Sequence, residues 1–256
     1  MREVRIGFLE KPNVNRGLFF GENIFTSFSS YNLQVPFLGE HIQRLKNGLS
    51  FFYKNLDTQE VLGKAEDQVR LTLKEFGSDL YFRLTPLVSL CTTQLAIQIN
   101  FKEKDHSETV LKDVVTSKGN WYFSKLNNQT KVGQYSEDFL RLAELKSMGY
   151  VDFIKVGLSN EVIEASTSNI FFVKDNKVII PVSENNFLEG LVIKKLKGER
   201  RKVLQGELSA FDHCFFTNSV DYIVPIVSID GRKMKPMGRM SKKDLLCKYL
   251  PGVFEV

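Results

Sequence analysis

The sequence predicts a mixed α/β fold of the α+β class, divided into two domains. Runs rich in Ile, Val, Phe and Tyr, which are typical of strands, alternate with segments whose apolar residues recur at helical spacing. Residues 102–113 are charged and have no apolar periodicity, so we interpret them as a linker. The chain is therefore expected to divide into one domain at residues 1–106 and a second at residues 107–256.

The N-terminal half combines strands with two helices. Apolar residues from Phe37 to Leu56 recur at helical spacing and predict an amphipathic helix. A more polar helix is expected at residues 58–76, ending at Gly77, because glycine commonly ends helices. The remaining apolar runs predict four strands, at residues 4–9, 23–31, 80–90 and 93–101.

The C-terminal half has the same mixture of elements. It is expected to open with a strand, a helix and a second strand, near residues 113–117, 136–149 and 151–158. Two β-hairpins follow, because the pairs Asp175-Asn176 and Asp230-Gly231 each separate two apolar runs. No internal repeat or low-complexity tract interrupts this pattern.

Composition and charge exclude several classes of protein. The hydrophobic content of 43% and the charged content of 25% are ordinary for a globular protein. No apolar run is long enough to span a bilayer, and the N-terminus lacks the apolar core of a secretory signal. The net charge of +5 is mild and spread along the chain, and no Lys/Arg block interleaves with aromatic residues. We therefore expect neither a membrane nor a nucleic acid as a partner.

Cysteine and histidine usage gives no sign of a metal site. The three cysteines have no ligand spacing and are expected to be reduced thiols of a cytoplasmic protein. His41, His106 and His213 are far apart, so structural or surface roles are expected for them and no metal is predicted. The sequence contains no G-x-S-x-G elbow, P-loop or G-x-G-x-x-G.

Five short segments form an ordered set along the chain. They read GENIFTSFSSYNLQVPFLGEHIQRL at residues 21–45, KVGQY at 131–135, NEVIEASTSNIFFVKDNKVIIP at 160–181, NNFLEGL at 185–191 and FFTNSVDYIVPI at 215–226. Together they resemble the fold-type-IV pyridoxal-phosphate enzymes, the class-IV aminotransferase family, which includes branched-chain aminotransferases, D-amino-acid aminotransferases and aminodeoxychorismate lyases. The resemblance covers residues 17–230, and EASTSNIF followed by a hairpin is its most specific part.

The resemblance implies an architecture as well as a cofactor. It implies a two-domain fold like that of D-amino-acid aminotransferase, with a smaller N-terminal and a larger C-terminal domain and pyridoxal 5′-phosphate (PLP) between them. It also implies a homodimer. An amine, a carboxylate and an anion-binding group are needed to hold the aldehyde, the ring nitrogen and the phosphate of PLP.

Two residues match the groups that hold the reactive part of the cofactor. Lys131 matches the family's Schiff-base lysine, with K-V-G-Q-Y in place of the common K-x-x-N-Y; the alternative is an ordinary surface lysine. Glu164 matches the glutamate that faces the pyridine nitrogen. Glu161 is the competing candidate, and we expect it to be solvated beside a turn at residues 159–160.

The phosphate-binding groups are matched only in part. Arg44 matches the family's phosphate arginine; the alternative is a surface arginine. Backbone or hydroxyl donors at four further positions match the family's two phosphate-binding turns, the first at Gly190 and Leu191 and the second at Ser219 and Val220. The first turn reads G-L-V-I where the family usually has G-I-T-R, which predicts weaker phosphate binding. Tyr135 is expected either to bond to the cofactor's phenolic oxygen or to be a core aromatic.

The reaction is less well defined than the cofactor. F-T-S at residues 25–27 and T-N-S-V at 217–220 favour 4-amino-4-deoxychorismate lyase slightly over transamination of D- or branched-chain amino acids. The substrate is accordingly an amino acid or an amino-chorismate-like molecule. A degenerate, non-catalytic family member is a further alternative. The candidate substrate contacts are Phe25, Arg83, Ser166 and Thr167, with a sheet-edge surface role as the alternative for Arg83.

Overall fold

The computed structural model describes residues 1–91, 93–107, 112–119, 130–133, 135–183, 187–238 and 240–254. The chain forms two compact units. The first unit is Met1–Asp105 with Gln129–Gln134, and the second is His106–Asn128 with Tyr135–Val256. Part of the segment that we interpreted as a linker, residues 108–111, lies outside the described residues. The domain boundary after residue 106 and a cofactor between the domains stay predictions.

The first unit is a four-stranded antiparallel sheet covered by helices. The strands are β1 (Arg2–Gly7), β2 (Thr26–Ser29), β3 (Leu80–Val88) and β4 (Leu95–Glu103), in the spatial order β1-β4-β3-β2. The helices are α1 (Arg16–Phe20), α2 (Leu38–Phe52) and α3 (Gln59–Phe76). α2 and α3 were both predicted, and α3 ends at Gly77 in the left-handed conformation that glycine adopts readily.

The core of the first unit lies between the sheet and the helices. Leu45 and Leu49, on one face of α2, are fully buried, as are Phe28 and Phe82 on the sheet. The buried positions of α2 recur every three or four residues, and β3 buries alternate residues along its first half, whereas every residue of β2 is buried. The faces away from this core remain available for polar side chains.

The second unit is built on a nine-stranded mixed sheet. Its order is β10-β9-β8-β11-β12-β5-β6-β7, with β13 paired to β12. The strands are β5 (Lys112–Lys118), β6 (Asp152–Val156), β7 (Val162–Ala165), β8 (Asn169–Lys174), β9 (Lys177–Pro181), β10 (Glu199–Arg201), β11 (His213–Asn218), β12 (Tyr222–Ile229) and β13 (Arg232–Lys233). The helices are α4 (Ser136–Ser147), α5 (Leu191–Lys195), a 3-10 turn (Gln205–Ala210) and α6 (Lys242–Tyr249).

Both predicted hairpins are present in the second unit. Asp175 and Asn176 have φ angles of 49° and 59°, and Asp230 and Gly231 have φ angles of 51° and 76°. Positive φ at both central residues is the geometry of the two-residue turn that matches strand twist. The mixed α+β class predicted from the sequence is confirmed. Among the described helices, none has both the length and the apolar content needed to cross a membrane.

Candidate active site

The segment that contains Lys131 lies beside residues 23–25 in the first unit. The Phe25 N–H donates to the Lys131 carbonyl over 3.0 Å, and the Gly133 N–H donates to the Asn23 carbonyl over 2.7 Å. Ile24 pairs with Val132 as an antiparallel bridge. These bonds give the backbone of Lys131 a fixed position, although the residue is distant in sequence from its neighbours.

Helix α2 packs closely against the same segment at Gly48. A Cβ atom placed on Gly48 would lie 2.9 Å from the Cγ2 atoms of both Ile24 and Thr130, closer than carbon atoms pack. Glycine at position 48 therefore lets the helix come this near to Ile24 and Thr130. The close approach sets the position of Thr130, the residue immediately before Lys131.

Two cationic side chains of the first unit gather at one aromatic ring. The Lys131 Nζ lies 4.9 Å from the centroid of the Phe25 ring, and the Arg83 Cζ lies 3.9 Å from it. Cations at this distance are attracted by the electron-rich ring face. Arg83 sits on β3 opposite Ser27 of β2, so the sheet register holds it near residue 25. The arrangement brings together three predicted site residues and suits an anionic ligand.

A buried histidine lies on the helix that also holds Arg44. His41 and Arg44 belong to α2 and are three positions apart, which places them on neighbouring parts of the helix surface. Complete burial lowers the pKa of His41 well below its usual value, and the charges of Arg44 and Lys131 lower it further. His41 is therefore a neutral imidazole, and it lies close enough to Arg44 and Lys131 for their charges to lower its pKa. The spacing H-x-x-R was a signal for this residue in the sequence.

In the second unit, Glu164 lies on β7 and is almost completely buried. The Lys155 Nζ on β6 lies 3.6 Å from Glu164 Oε1 and 2.9 Å from Asp138 Oδ2 on α4. Sequence analysis gave Lys155 and Asp138 no role. A lysine inside a strand of the form V-D-F-I-K-V was the available signal, because a strand buried on both faces rarely carries a charge.

The expectation for Glu161 was wrong. Glu161 is only 4% exposed, although we expected a solvated side chain at the turn. The turn itself is present, since Asn160 has a φ of 62°. Glu161 is drawn inward because it pairs as a bridge with Leu204, and its carboxylate lies so close to Gly157 that a Cβ there would meet Oε1 at 2.2 Å.

The glycine turn at residue 190 is fixed by an asparagine. The Gly190 N–H donates to Asn169 Oδ1 over 2.8 Å, and Asn169 Nδ2 donates to the Leu188 carbonyl over 2.9 Å. A Cβ on Gly190 would lie 2.4 Å from Asn169 Oδ1. Helix α5 begins directly after this turn, with Leu191 as its first residue. Residues 185 and 186 of the predicted motif lie outside the described part of the chain.

The turn after β11 is also held by an asparagine. Asn218 Oδ1 accepts from the Val220 N–H over 2.8 Å and from the Asp221 N–H over 2.7 Å, while its Nδ2 donates to Ser168 Oγ over 2.9 Å. The Val220 N–H, predicted as a phosphate donor, is thus used within the turn. Ser219 beside it is partly exposed.

The remaining candidates of the second unit differ in exposure. The Ser166 hydroxyl is buried and donates to Asp152 Oδ1 over 2.6 Å, whereas Thr167 is exposed. Tyr135 is partly buried, with its ring centroid 6.0 Å from that of Phe139. Gln134, within the K-V-G-Q-Y motif, lies outside the described residues. In the described segments, no group of three or more His, Cys, Asp or Glu side chains is arranged to hold a metal ion.

Each unit, taken by itself, carries groups of the kinds that a pyridoxal ring and phosphate require. The first unit has the Lys131 amine, with Arg44 acting on the same buried imidazole. The second unit has the buried carboxylate of Glu164 and a turn at Gly190 where a Cβ would meet Asn169 Oδ1. Together with the mixed sheets and helices, this chemistry is that of the fold-type-IV class of PLP-dependent enzymes.

Comparison with known proteins identifies the family. The family model "Amino-transferase class IV" matches residues 23–229. The chain belongs to the class-IV aminotransferases, so the predicted family, enzyme class and PLP cofactor are confirmed. A probable branched-chain-amino-acid aminotransferase of Aquifex aeolicus is 27% identical over 242 residues, which are 84% of this chain and 78% of the relative.

Solved structures confirm the fold. The fold IV-transaminase CpuTA1 from Curtobacterium pusillum superposes with a TM-score of 0.79 at 17% identity, covering 98% of this chain and 99% of that one. An aminotransferase from Brucella abortus, bound to the cofactor PLP, has a TM-score of 0.76 at 20% identity, covering 95% and 97% of the two chains. At these identities the likeness concerns the fold alone, which is the one predicted.

Proposed function

We propose that this chain is a PLP-dependent aminotransferase that transfers the amino group of a branched-chain amino acid to a 2-oxo acid. The observation that carries the proposal is the fixed backbone of Lys131, whose ammonium group lies beside the Phe25 ring that Arg83 also contacts. The name of the Aquifex relative supports transamination over the lyase reaction that F-T-S and T-N-S-V favoured. The preference therefore moves from the lyase to the transaminase.

The chain's own groups have distinct parts in this reaction. PLP, when bound, supplies a ring that withdraws electrons and makes the Cα–H of an amino acid acidic. Lys131 Nζ would hold the cofactor's aldehyde, and once the substrate amine has taken its place, the freed Lys131 amine would accept the proton from the substrate Cα. Glu164 holds the proton on the ring nitrogen. Arg44, the turn at Gly190 and Leu191, and the Ser219 hydroxyl would bind the phosphate, with Tyr135 as a further contact. The Val220 and Gly190 N–H groups would join them only by leaving their bonds to Asn218 and Asn169.

The substrate is held by groups near Phe25. Arg83 lies against the Phe25 ring and offers two parallel N–H donors to a substrate carboxylate. The ring offers an apolar surface to a branched side chain. Ser166 and Thr167 lie two and three positions after Glu164 in sequence and are proposed as further substrate contacts. Because the Ser166 hydroxyl is bonded to Asp152, a substrate would use its backbone or the exposed Thr167 instead.

The test of the proposal is cofactor attachment followed by turnover. The purified protein with PLP should be yellow, and borohydride should bleach the colour and fix the label to the peptide that contains Lys131. Lys131→Ala should lower turnover about 10³-fold or more, since it removes the proton carrier. Lys146→Ala, at an exposed site on α4, is the matched control and should leave turnover unchanged. A label on another lysine would contradict the assignment.

The lyase reaction is the second candidate, supported by the residues of F-T-S and T-N-S-V. Parallel assays with L- and D-amino acids, each with a 2-oxo acid, and with aminodeoxychorismate separate the two. Release of 4-aminobenzoate without transamination would favour the lyase. A protein that stays colourless with added PLP would favour a non-catalytic family member. A homodimer and a cytoplasmic location belong to the same proposal.

A further inference from the structure

A lysine and two carboxylates form a buried cluster in the second unit. Lys155 is 1% exposed, and Asp138 and Glu164 are each 8% exposed. The Lys155 ammonium lies 2.9 Å from Asp138 Oδ2, within hydrogen-bonding distance, and 3.6 Å from Glu164 Oε1. Taking charges out of water costs several kcal/mol per ion unless they are paired. Burial of these charges therefore either lowers the stability of the fold without a functional gain or serves a functional site.

The pairing of β6 with β7 places Lys155 opposite Glu164. In the β6–β7 ladder Ile154 pairs with Ala165 and Val156 pairs with Val162, so one residue of β6 stands opposite two residues of β7. This is a β-bulge, which changes the direction of side chains locally. Lys155 is the single residue and Glu164 is one of the two opposite it. The bulge brings the two side chains to the same face of the sheet.

Among the described residues, the cluster contains two carboxylates and one ammonium. The excess charge of these three groups is negative, the sign that would balance a protonated ring nitrogen. The neighbouring charges are Asp152 on β6, which pairs with Lys112 on β5 over 3.7 Å, and the exposed Glu137 on α4. Burial raises the pKa of Asp138, and the charge and hydrogen bond of Lys155 oppose that rise.

We propose that Lys155 is a positioning residue that keeps the Glu164 carboxylate ionised and oriented for the cofactor's ring nitrogen, with Asp138 holding the lysine in place. The inference depends on the proposed role of Glu164. The ammonium favours the charged form of Glu164, because an opposite charge within about 4–6 Å stabilises an ion. Asp138 accepts a hydrogen bond from the Lys155 ammonium and holds it in place, and its negative charge offsets the repulsion between the lysine and the ring's proton.

The test measures PLP affinity across pH in charge variants. The dissociation constant of PLP is measured from pH 5 to 9 for the unmodified protein, Lys155→Met and Lys155→Arg, with Glu164→Gln identifying the part of the profile that belongs to Glu164. In Lys155→Met the acidic fall in affinity should move up by about one pH unit, which is about tenfold weaker binding on that limb. Lys155→Arg keeps the positive charge and should restore the original profile.

A second variant keeps the test valid if Lys155→Met does not fold. Asp138→Asn/Lys155→Met removes both partners of the pair, which is commonly far better tolerated than removal of one. It should fold, bind PLP and show an upward shift of the acidic limb that is smaller than in Lys155→Met, because the loss of the Asp138 charge partly offsets the loss of the lysine. A profile parallel to that of the unmodified protein, with only a lower melting temperature, would reduce Lys155 to a structural residue and overturn the inference.

A measurement without cofactor gives an independent readout. In the apoprotein with Lys155→Met, the buried carboxylates lack their cation, so the folded state holds protons on them more tightly than the unfolded state does. The free energy of unfolding of this variant, relative to that of the unmodified protein, should therefore fall as pH rises. Adding Asp138→Asn and Glu164→Gln should remove that dependence, and a dependence that persists would count against the cluster. Failure of the unmodified protein to bind PLP at all would instead overturn the proposed function.

Discussion

Thr26 Oγ1 and His41 Nδ1 lie 2.6 Å apart in the first unit, and neither side chain is exposed to solvent. The other ring nitrogen of His41, Nε2, is buried and has no hydrogen-bond partner among the described residues. A buried imidazole with one bonded nitrogen is stable only when neutral, because its charged form would need two acceptors. The pair therefore joins β2 to α2 without adding a third positive charge near Arg44 and Lys131.

The first prediction concerns pH and His41. Because burial holds the folded pKa of His41 below its unfolded value of 6.5, the folded state binds fewer protons, and stability should be lost as pH falls below about 6.5. The loss should approach about 1.4 kcal/mol per pH unit in urea unfolding. His41→Gln should remove this component, whereas His213→Gln, at a partly exposed position, should retain it.

The second prediction concerns Gly48 on α2. Gly48→Ala should destabilise the protein by about 1–3 kcal/mol, because the new methyl group would overpack Ile24 and Thr130. It should also weaken PLP binding, since Thr130 precedes Lys131. The matched control is Gly63→Ala in α3, where a Cβ has nothing within 4 Å, and which should stabilise by about 0.5–1 kcal/mol. Equal effects at both glycines would refute the close approach.

The third prediction concerns Gly190. Gly190→Ala should break the bond between the Gly190 N–H and Asn169 Oδ1 and cost about 1–3 kcal/mol of unfolding free energy. Gly206→Ala, where a Cβ has nothing within 4 Å, is the control. With Asn169→Ala as the partner variant, the double mutant should lose less than the sum of the single losses. Additive losses would show that the two residues are not coupled.

The fourth prediction concerns Arg44. Arg44→Gln should weaken PLP binding about 10-fold to 100-fold, because a hydrogen bond to a charged group contributes about 1.5–3 kcal/mol. The same change at Arg70, an exposed residue paired with Glu66 on α3, should leave the affinity unchanged. Equilibrium titration of the apoprotein with PLP measures both. Unchanged affinity in Arg44→Gln would remove Arg44 from the phosphate site.

Much of the fold was predictable because its signals are local. The periodicity from Phe37 to Leu56 predicted α2, and the turn pair Asp175-Asn176 predicted a hairpin, since both depend on residues adjacent in sequence. Helix α6 was not predicted, although Ser241 and Asp244 form a capping box at its start. Its apolar positions are too few to give a clear helical period, so only the cap could have revealed it.

The site was less predictable than the fold, because its geometry depends on residues far apart in sequence. The motifs identified Lys131 and Glu164 as candidates, but no pattern indicated that Lys155 is buried beside Glu164. Pairing between strands decides such contacts, and a bulge of one residue changes them. Glu161 shows the same limit: a polar residue next to a turn is solvated by default, and only a bridge to Leu204 draws it inward.

The lysine-bearing segment belongs to a different unit from the sequence on either side of it. The chain leaves the first unit after residue 105, returns for residues 129–134 and leaves again. Cleavage of the chain at one position therefore cannot produce two fragments that each contain a complete unit. A fragment of residues 1–105 would lack the segment that pairs with residues 23–25, and its complement would contain that segment without a strand to pair with. Neither fragment would be a complete structural unit, and the candidate active site therefore requires the uninterrupted chain.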